Sequence, residues 1–172
     1  TQVLHASYAE AVGRGNCFIA CNQTGVTTQA GLSATTPVLT LYNPVGSGKI
    51  AAVVWASISF SVAFAAASIV WLAANTNLSA AAVTGTAAAV RNCLLGSSNN
   101  TCMLPYTAAT LPAAPTAISI LGVGLTGAIT TVPHIPAMSR NYDGSIALYP
   151  GAAISFQTST ASGASATFAE LC

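Results

Sequence analysis

A lysine at the end of a glycine-rich segment is the first candidate for chemistry in this chain. Residues 46–49 read Gly-Ser-Gly-Lys, as in part of a phosphate-binding loop. A Walker A loop also requires a glycine three residues before Gly46 and a serine or threonine directly after the lysine. The sequence has Asn43 and Ile50 at these positions, and a strand-like run follows where a helix N-terminus would have to face the phosphate. We therefore predict a hairpin turn with a solvated Lys49 and no nucleotide site.

The acidic residues are too few for paired-carboxylate catalysis. A glycosidase needs two carboxylates at a set separation, and the chain has only Glu10, Asp143 and Glu170. We predict that Asp143 caps the backbone of a turn and that Glu170 lies at a strand end, where it serves solubility.

Serines are abundant, but a serine triad also needs a histidine and an acid. His5 and His134 lie outside any recognisable motif, and no G-x-S-x-G occurs. His134 lies between two prolines, where a loop or contact role is expected. The sequence predicts no catalytic residues and a protein that is not an enzyme.

The five cysteines offer two short-range pairings. Cys93 and Cys102 bracket a polar loop that a disulfide would staple, and Cys17 and Cys21 have three residues between them, which suits one helical turn or a tight loop. The alternative is that all five are unpaired and act as small hydrophobic residues. Because a zinc site calls for C-x-x-C pairs or histidines in register, which are absent, we predict no metal and no other cofactor.

The composition points to a surface covered by partners. Only 4% of the residues are charged, against about 25% in ordinary soluble domains, so a lone monomer would be poorly protected against association. The net charge of +1 without a basic cluster argues against nucleic acid. The first residues have no positive region followed by an apolar one, so no signal peptide is visible.

The stretch from Val38 to Ala74 decides the fold class. Between Ala56 and Val62 apolar residues alternate with serine, which is typical of a strand with one buried face. The alternative is a membrane-spanning helix over residues 50–74, since an uncharged run of this length exceeds the ~20 residues that cross a bilayer. We favour strands, because a spanning helix has no reason to place serine at every second position.

The remaining chain predicts an all-β protein. About eight short strands are separated by turns rich in Gly, Pro and Asn, the pattern of an antiparallel β-sandwich of jelly-roll type. We expect one domain overall, with residues 1–36 as an N-terminal arm or first-strand region and residues 37–172 as the sandwich. Asp143-Gly144 carries the strongest signal for a two-residue hairpin turn.

Two segments resemble small structural proteins of tailed bacteriophages. One is LTLYNPVGSGK followed by an alternating strand, and the other is ALYPGAAISFQTSTASGASATFAEL, so that the resemblance covers mainly residues 38–62 and 146–171. It implies a virion component on the capsid exterior, either a capsid decoration protein or a head-fibre protein. Its partners would be copies of itself, as a homo-oligomer and most plausibly a trimer, and the major capsid protein or other virion proteins.

Two other functions are consistent with the sequence. A tail-fibre or receptor-binding module would stack exposed tyrosine or tryptophan on a glycan. A membrane protein would cross the bilayer once at residues 50–74. Our prediction is the virion structural protein, with no nucleic acid and no membrane among its partners.

Overall fold

A computed structural model describes residues 6–62, 64, 66–76, 78, 83–124, 138–163 and 167–172. Within these residues the chain forms one short helix and eleven strands. The elements are α1 (Ala6–Gly13), β1 (Phe18–Cys21), β2 (Leu39–Asn43), β3 (Ala51–Phe60), β4 (Ser68–Asn75), β5 (Thr84–Ala87), β6 (Ala89–Asn92), β7 (Leu104–Thr110), β8 (Thr116–Gly124), β9 (Met138–Leu148), β10 (Ala152–Thr158) and β11 (Thr167–Leu171).

The strands form two antiparallel sheets, which confirms the predicted all-β sandwich. One sheet has the order β6-β1-β11-β3-β9, and the other has the order β5-β7-β2-β10-β4-β8. The inner faces enclose one main core, in which Leu39, Ile58, Leu72 and Phe156 are fully buried.

Eight of the strands have jelly-roll connectivity. The first strand pairs with the last, β1 with β11, and the pairs β2–β10, β3–β9 and β4–β8 follow inward along the chain. These are the pairs of one long hairpin, and they lie alternately in the two sheets because the hairpin is wrapped around the core. The sequence predicted about eight strands in all, and the described residues form eleven.

Three further strands lie in the connection between β4 and β8. Strand β6 extends the first sheet beside β1, while β7 and β5 extend the second sheet beyond β2. Strands β5 and β6 follow each other closely along the chain but extend different sheets.

Strands β3 and β4 occupy the stretch for which a spanning helix was the alternative. Along β3 the apolar residues Ala56, Ile58 and Phe60 are buried in the core, as the alternation with serine predicted. The strand prediction is therefore confirmed for residues 51–60 and 68–74. Of the helices in the described part of the chain, none has the length and apolar character needed to cross a membrane.

The two turn motifs that support the phage resemblance meet in the structure. The side-chain amide of Asn43 donates to the backbone carbonyl oxygens of Lys49 and Leu148, both at 2.8 Å. The backbone carbonyl oxygen of Asn43 accepts the Gly151 backbone amide at 2.8 Å. Gly46 and Gly48 have φ values of 81° and 65°, a left-handed conformation that glycine adopts at low cost. Residues 46–49 are therefore a turn that leads into a strand, as predicted.

The hairpin turn predicted at Asp143-Gly144 is wrong. Both residues have positive φ, 50° and 79°, but they lie inside β9. Val53 pairs with Ile146 and Trp55 pairs with Asn141, so the residues between them form a bulge in β9. Positive φ suits a bulge as well as a hairpin turn, and the local sequence does not distinguish the two.

Candidate functional site

A cleft of about 830 Å³ lies against the first sheet. Its walls come from α1, the start of β1, the start of β3, the loop 97–103 and the bulge of β9. The charged side chains on the walls are Arg14, Lys49 and Asp143. Lys49, predicted to be solvated in a turn, therefore lies at the edge of a cavity.

Three cysteines form a cluster at this cleft. The sulfur atoms of Cys17, Cys93 and Cys172 all lie within 4.8 Å of one another, and those of Cys17 and Cys172 are 3.4 Å apart. Cys17 and Cys172 line the cleft directly. Each of the three is partly buried, and each is a free thiol.

The strand register explains why these residues meet. Phe18 pairs with Asn92, which places Cys17 opposite Cys93 in the β1–β6 ladder, and the Cys93 amide donates to the Cys17 carbonyl at 2.9 Å. On the other side of β1, Ala20 pairs with Leu171, which places Cys172 opposite Ile19. Positions 17 and 19 face the same side of a strand. The jelly-roll pairing of first and last strands therefore carries Cys172 to Cys17.

A buried asparagine holds the loops around the cluster. The Asn92 side-chain amide donates to the carbonyl oxygens of Gly15 and Ser98, at 2.7 and 3.1 Å, and its side-chain oxygen accepts the Leu94 amide at 2.8 Å. Asn92 is only 2% exposed. It therefore fixes the segments that precede Cys17 and follow Cys93.

The environment keeps two of the thiols protonated. Burial raises the pKa of Cys93, and the hydrogen bond with Cys17 raises it further. The pKa of Cys172 is also raised, first by burial and then by the hydrogen bond with Cys17. Because the thiolate is the reactive form of cysteine, these two side chains are weak nucleophiles at neutral pH in the free protein.

A tyrosine ties the helix to the β9 bulge. The Tyr8 hydroxyl donates to Asp143 Oδ1 at 2.7 Å, and this hydrogen bond raises the pKa of Tyr8 to about 12. The carboxylate of Asp143 was predicted to cap its own turn. It instead accepts a hydrogen bond from α1 and so fixes that helix over the cleft.

The other predicted candidates lie elsewhere. Glu10 forms an exposed i,i+4 ion pair with Arg14 at 2.6 Å. Glu170 lies on β11, and burial raises its pKa. His5 and His134 lie outside the described residues.

One of the two predicted short-range cysteine pairings does not fit the strand geometry. Cys17 and Cys21 lie at the two ends of an extended segment, and at about 3.3 Å per residue their Cα atoms are some 13 Å apart, beyond the ~7 Å limit of a disulfide. Cys93 lies with Cys17 and Cys172, whereas Cys102 lies on the cleft wall. The pairing Cys93–Cys102 stays a prediction.

Sequence reasoning missed the three-cysteine cluster because its members are far apart along the chain. A signal was present nevertheless. Residues 1–36 were predicted to contain an arm or first-strand region, and Cys17 lies in it, while Cys172 directly follows the last strand of the sandwich. In a jelly roll these two strands are neighbours, so that cysteines at their ends come together.

The fold and the cleft define an antiparallel jelly-roll protein with a thiol cluster at the junction of its first and last strands. No protein-family model, no curated protein and no solved structure matches the chain.

Proposed function

We propose that this protein is a non-enzymatic viral structural protein, a capsid decoration or head-fibre protein that assembles in many copies on the exterior of a virion. The observation that carries the proposal is an exposed apolar surface at one edge of the sandwich. The phage-like turn motifs and a fold that occurs in viral capsid domains support it.

The apolar surface consists of side chains on the outer face of β4 and β8. We call it the edge patch, and it comprises Ile69, Trp71, Ile118, Ile120 and Val123. Ile69 pairs with Val123 and Trp71 pairs with Ile120 across the two strands, so the paired side chains share one face. Ile120 is 60% exposed and Val123 is 52% exposed.

The edge patch lies at one edge of the second sheet, as the described residues form it. Strand β8 is the last strand of its sheet and contains no charged residue. Soluble proteins protect such edges with charged side chains, proline or covering loops, because an exposed apolar edge promotes association. The one described cation bonded to β8 is Arg140, which donates to Ser119 Oγ at 3.1 Å and to the Ile120 carbonyl at 3.4 Å.

The occupant that we propose is a second copy of this chain. The side chains of the edge patch are all apolar, and every copy carries the same apolar surface. Repeating one such contact around a rotation axis closes a ring, which protects all edges at once. We propose a trimer, attached to the capsid through further apolar and backbone contacts.

The oligomer is tested with a charge placed in the edge patch. Ile120→Arg buries a cation in the proposed interface, so we expect the trimer of the unmodified protein to become a monomer in sedimentation equilibrium. Leu95→Arg is the matched control, because Leu95 is 85% exposed in a loop and lies outside the patch, and we expect it to remain trimeric. A monomeric unmodified protein, or a trimeric Ile120→Arg variant, would contradict the proposed interface.

The virion assignment is tested by electron microscopy of particles that contain the protein. We expect density for the sandwich on the capsid exterior, in many symmetry-related copies. Density confined to a tail tip would favour the receptor-binding alternative.

A further inference from the structure

We infer that Cys17, Cys93 and Cys172 bind a zinc ion, with the fourth coordination position open to the cleft. The inference rests on the three converging sulfur atoms and does not depend on the proposed virion function.

The sulfur positions are close to those that zinc requires. Zinc holds thiolate sulfur at about 2.3 Å in tetrahedral geometry, which separates the sulfurs by about 3.8 Å. Here the sulfurs of Cys17 and Cys172 are 3.4 Å apart, and all three sulfurs lie within 4.8 Å of one another. Small side-chain rotations therefore bring the three ligands onto one ion without a change in the backbone.

The backbone that carries the ligands is held on both sides. The Cys93 backbone amide donates to the Cys17 carbonyl oxygen. The Cys172 amide donates to the Trp55 carbonyl oxygen at 2.9 Å, and the Trp55 amide donates to the Cys172 carbonyl oxygen at 3.1 Å. Together with the hydrogen bonds of Asn92, these contacts fix the backbone positions of the three cysteines before any ion binds. Pre-organisation of this kind lowers the ordering cost of binding.

The donor set favours a thiophilic cation. Three sulfur ligands suit zinc far better than magnesium or calcium, which prefer oxygen. No further cysteine, histidine or carboxylate among the described residues joins the cluster, so a water molecule is the expected fourth ligand. Three thiols bind one Zn²⁺ by forming three Zn–S bonds and releasing three protons to solvent, which leaves one net negative charge beside the cleft that contains Arg14 and Lys49.

Cobalt provides the direct test. The full chain, reduced with a phosphine and freed of metal, is titrated with Co²⁺, and we expect one equivalent to give a thiolate-to-cobalt charge-transfer band and the visible bands of a tetrahedral site. Zn²⁺ should remove these bands by displacement. Absence of the bands in the reduced protein would overturn the inference.

Single substitutions identify the ligands. We expect Cys17→Ser, Cys93→Ser and Cys172→Ser each to weaken zinc binding by more than about 100-fold, since loss of an outer-shell partner alone costs 10- to 100-fold. Cys21→Ser and Cys102→Ser are the matched controls and should bind as the unmodified protein does. Far-ultraviolet circular dichroism separates loss of a ligand from loss of the fold, and a variant that keeps its β spectrum but loses zinc supports the site.

Oxidation is the competing outcome. If peptide mapping of protein purified without reductant finds a Cys17–Cys172 disulfide, and reduction does not restore one equivalent of bound zinc, the cluster is a redox pair and the zinc site is refuted. Equal loss of zinc in Cys102→Ser and Cys93→Ser would also refute this ligand set.

Discussion

Buried asparagines, among them Asn22, Asn43 and Asn92, hold loops of the sandwich to its strands. Asn22 donates to the Thr167 carbonyl at 2.9 Å and accepts the Ala169 amide at 2.6 Å, so that it joins the end of β1 to β11. Asn43 and Asn92 act in the same way at the turn before β3 and beside the thiol cluster. A carboxamide suits this task because it both donates and accepts hydrogen bonds without a charge to desolvate.

Replacing Asn43 by alanine should destabilise the protein strongly. The change leaves the Lys49 and Leu148 carbonyl oxygens without their donor in a site where Asn43 itself is 0% exposed. We expect a loss of about 2 to 4 kcal/mol in the free energy of unfolding, measured by urea denaturation. Asn100→Ala, at an exposed position, should change it by less than about 0.5 kcal/mol. Equal effects of the two substitutions would show that the buried carboxamide is not needed.

Glu170 should make stability decrease as the pH rises. Burial raises the pKa of its carboxyl above the ordinary value of 4.5, so the folded state binds the proton more tightly than the unfolded state. The protonated form is present in both states below pH 4.5, and the contribution to stability is lost as the pH passes upward through the folded pKa.

We therefore expect Glu170→Gln to raise the melting temperature near pH 7 and to leave it unchanged at about pH 3.5, where the carboxyl is protonated in both states. Glu10→Gln is the control, because Glu10 is exposed and paired with Arg14; it should lower stability near pH 7 by at most about 0.5 kcal/mol. A gain for Glu170→Gln that is the same at both pH values would contradict the electrostatic explanation.

At the scale of the elements, β9 continues through a pair of residues, Asp143-Gly144, that is typical of a hairpin turn. The bulge around Asp143-Gly144 lets β9 continue along β3 on both sides of the irregularity. It also presents Asp143 to Tyr8, so the helix is anchored at the point where the ladder is interrupted. Bulges often redirect a side chain in this way.

Strands β5 and β7 approach each other too closely for any side chain at position 85. A Cβ atom on Gly85 would lie 2.9 Å from the Ala109 Cα and 3.1 Å from the Thr107 carbonyl oxygen, and backbone atoms cannot rotate away. We expect Gly85→Ala to cost about 1 to 3 kcal/mol of unfolding free energy and to speed amide exchange in β5.

Gly13→Ala is the matched control for Gly85→Ala. Nothing lies within 4 Å of a Cβ atom at position 13, at the end of α1, so we expect unchanged or slightly higher stability. If both glycine substitutions behave alike, the close approach of β5 and β7 does not limit the residue at position 85.

At the scale of the whole molecule, the scarcity of charge sets how the protein associates. With four basic and three acidic side chains in 172 residues, the proposed assembly would depend on apolar and backbone contacts, which salt screens little. We expect the trimer, and its attachment to particles, to change little between about 0.1 M and about 1 M NaCl. The measurement is gel electrophoresis of the supernatant after particles are washed at high salt. Release of the protein into the supernatant would contradict this mode of attachment.

The sequence by itself determined the features that depend on neighbouring residues. Alternation of serine with apolar residues predicted β3 because side chains on a strand point to opposite faces. The Asn-Pro and glycine signals located the turn at residues 43–48 because they restrict or free the local backbone. These local effects were sufficient for the all-β class, whereas the predicted count of about eight strands is below the eleven that the described residues form.

The tertiary structure alone decided which distant residues meet. Cys17, Cys93 and Cys172 converge because the first strand pairs with the last strand and with an inserted strand, a consequence of sheet order and register that no local pattern encodes. The same holds for Asp143-Gly144, whose positive φ values fit a hairpin turn or a bulge until the pairing of β9 with β3 selects the bulge. Contacts across a wrapped sheet depend on how the whole chain encloses its core, whereas strands and turns depend on neighbouring residues.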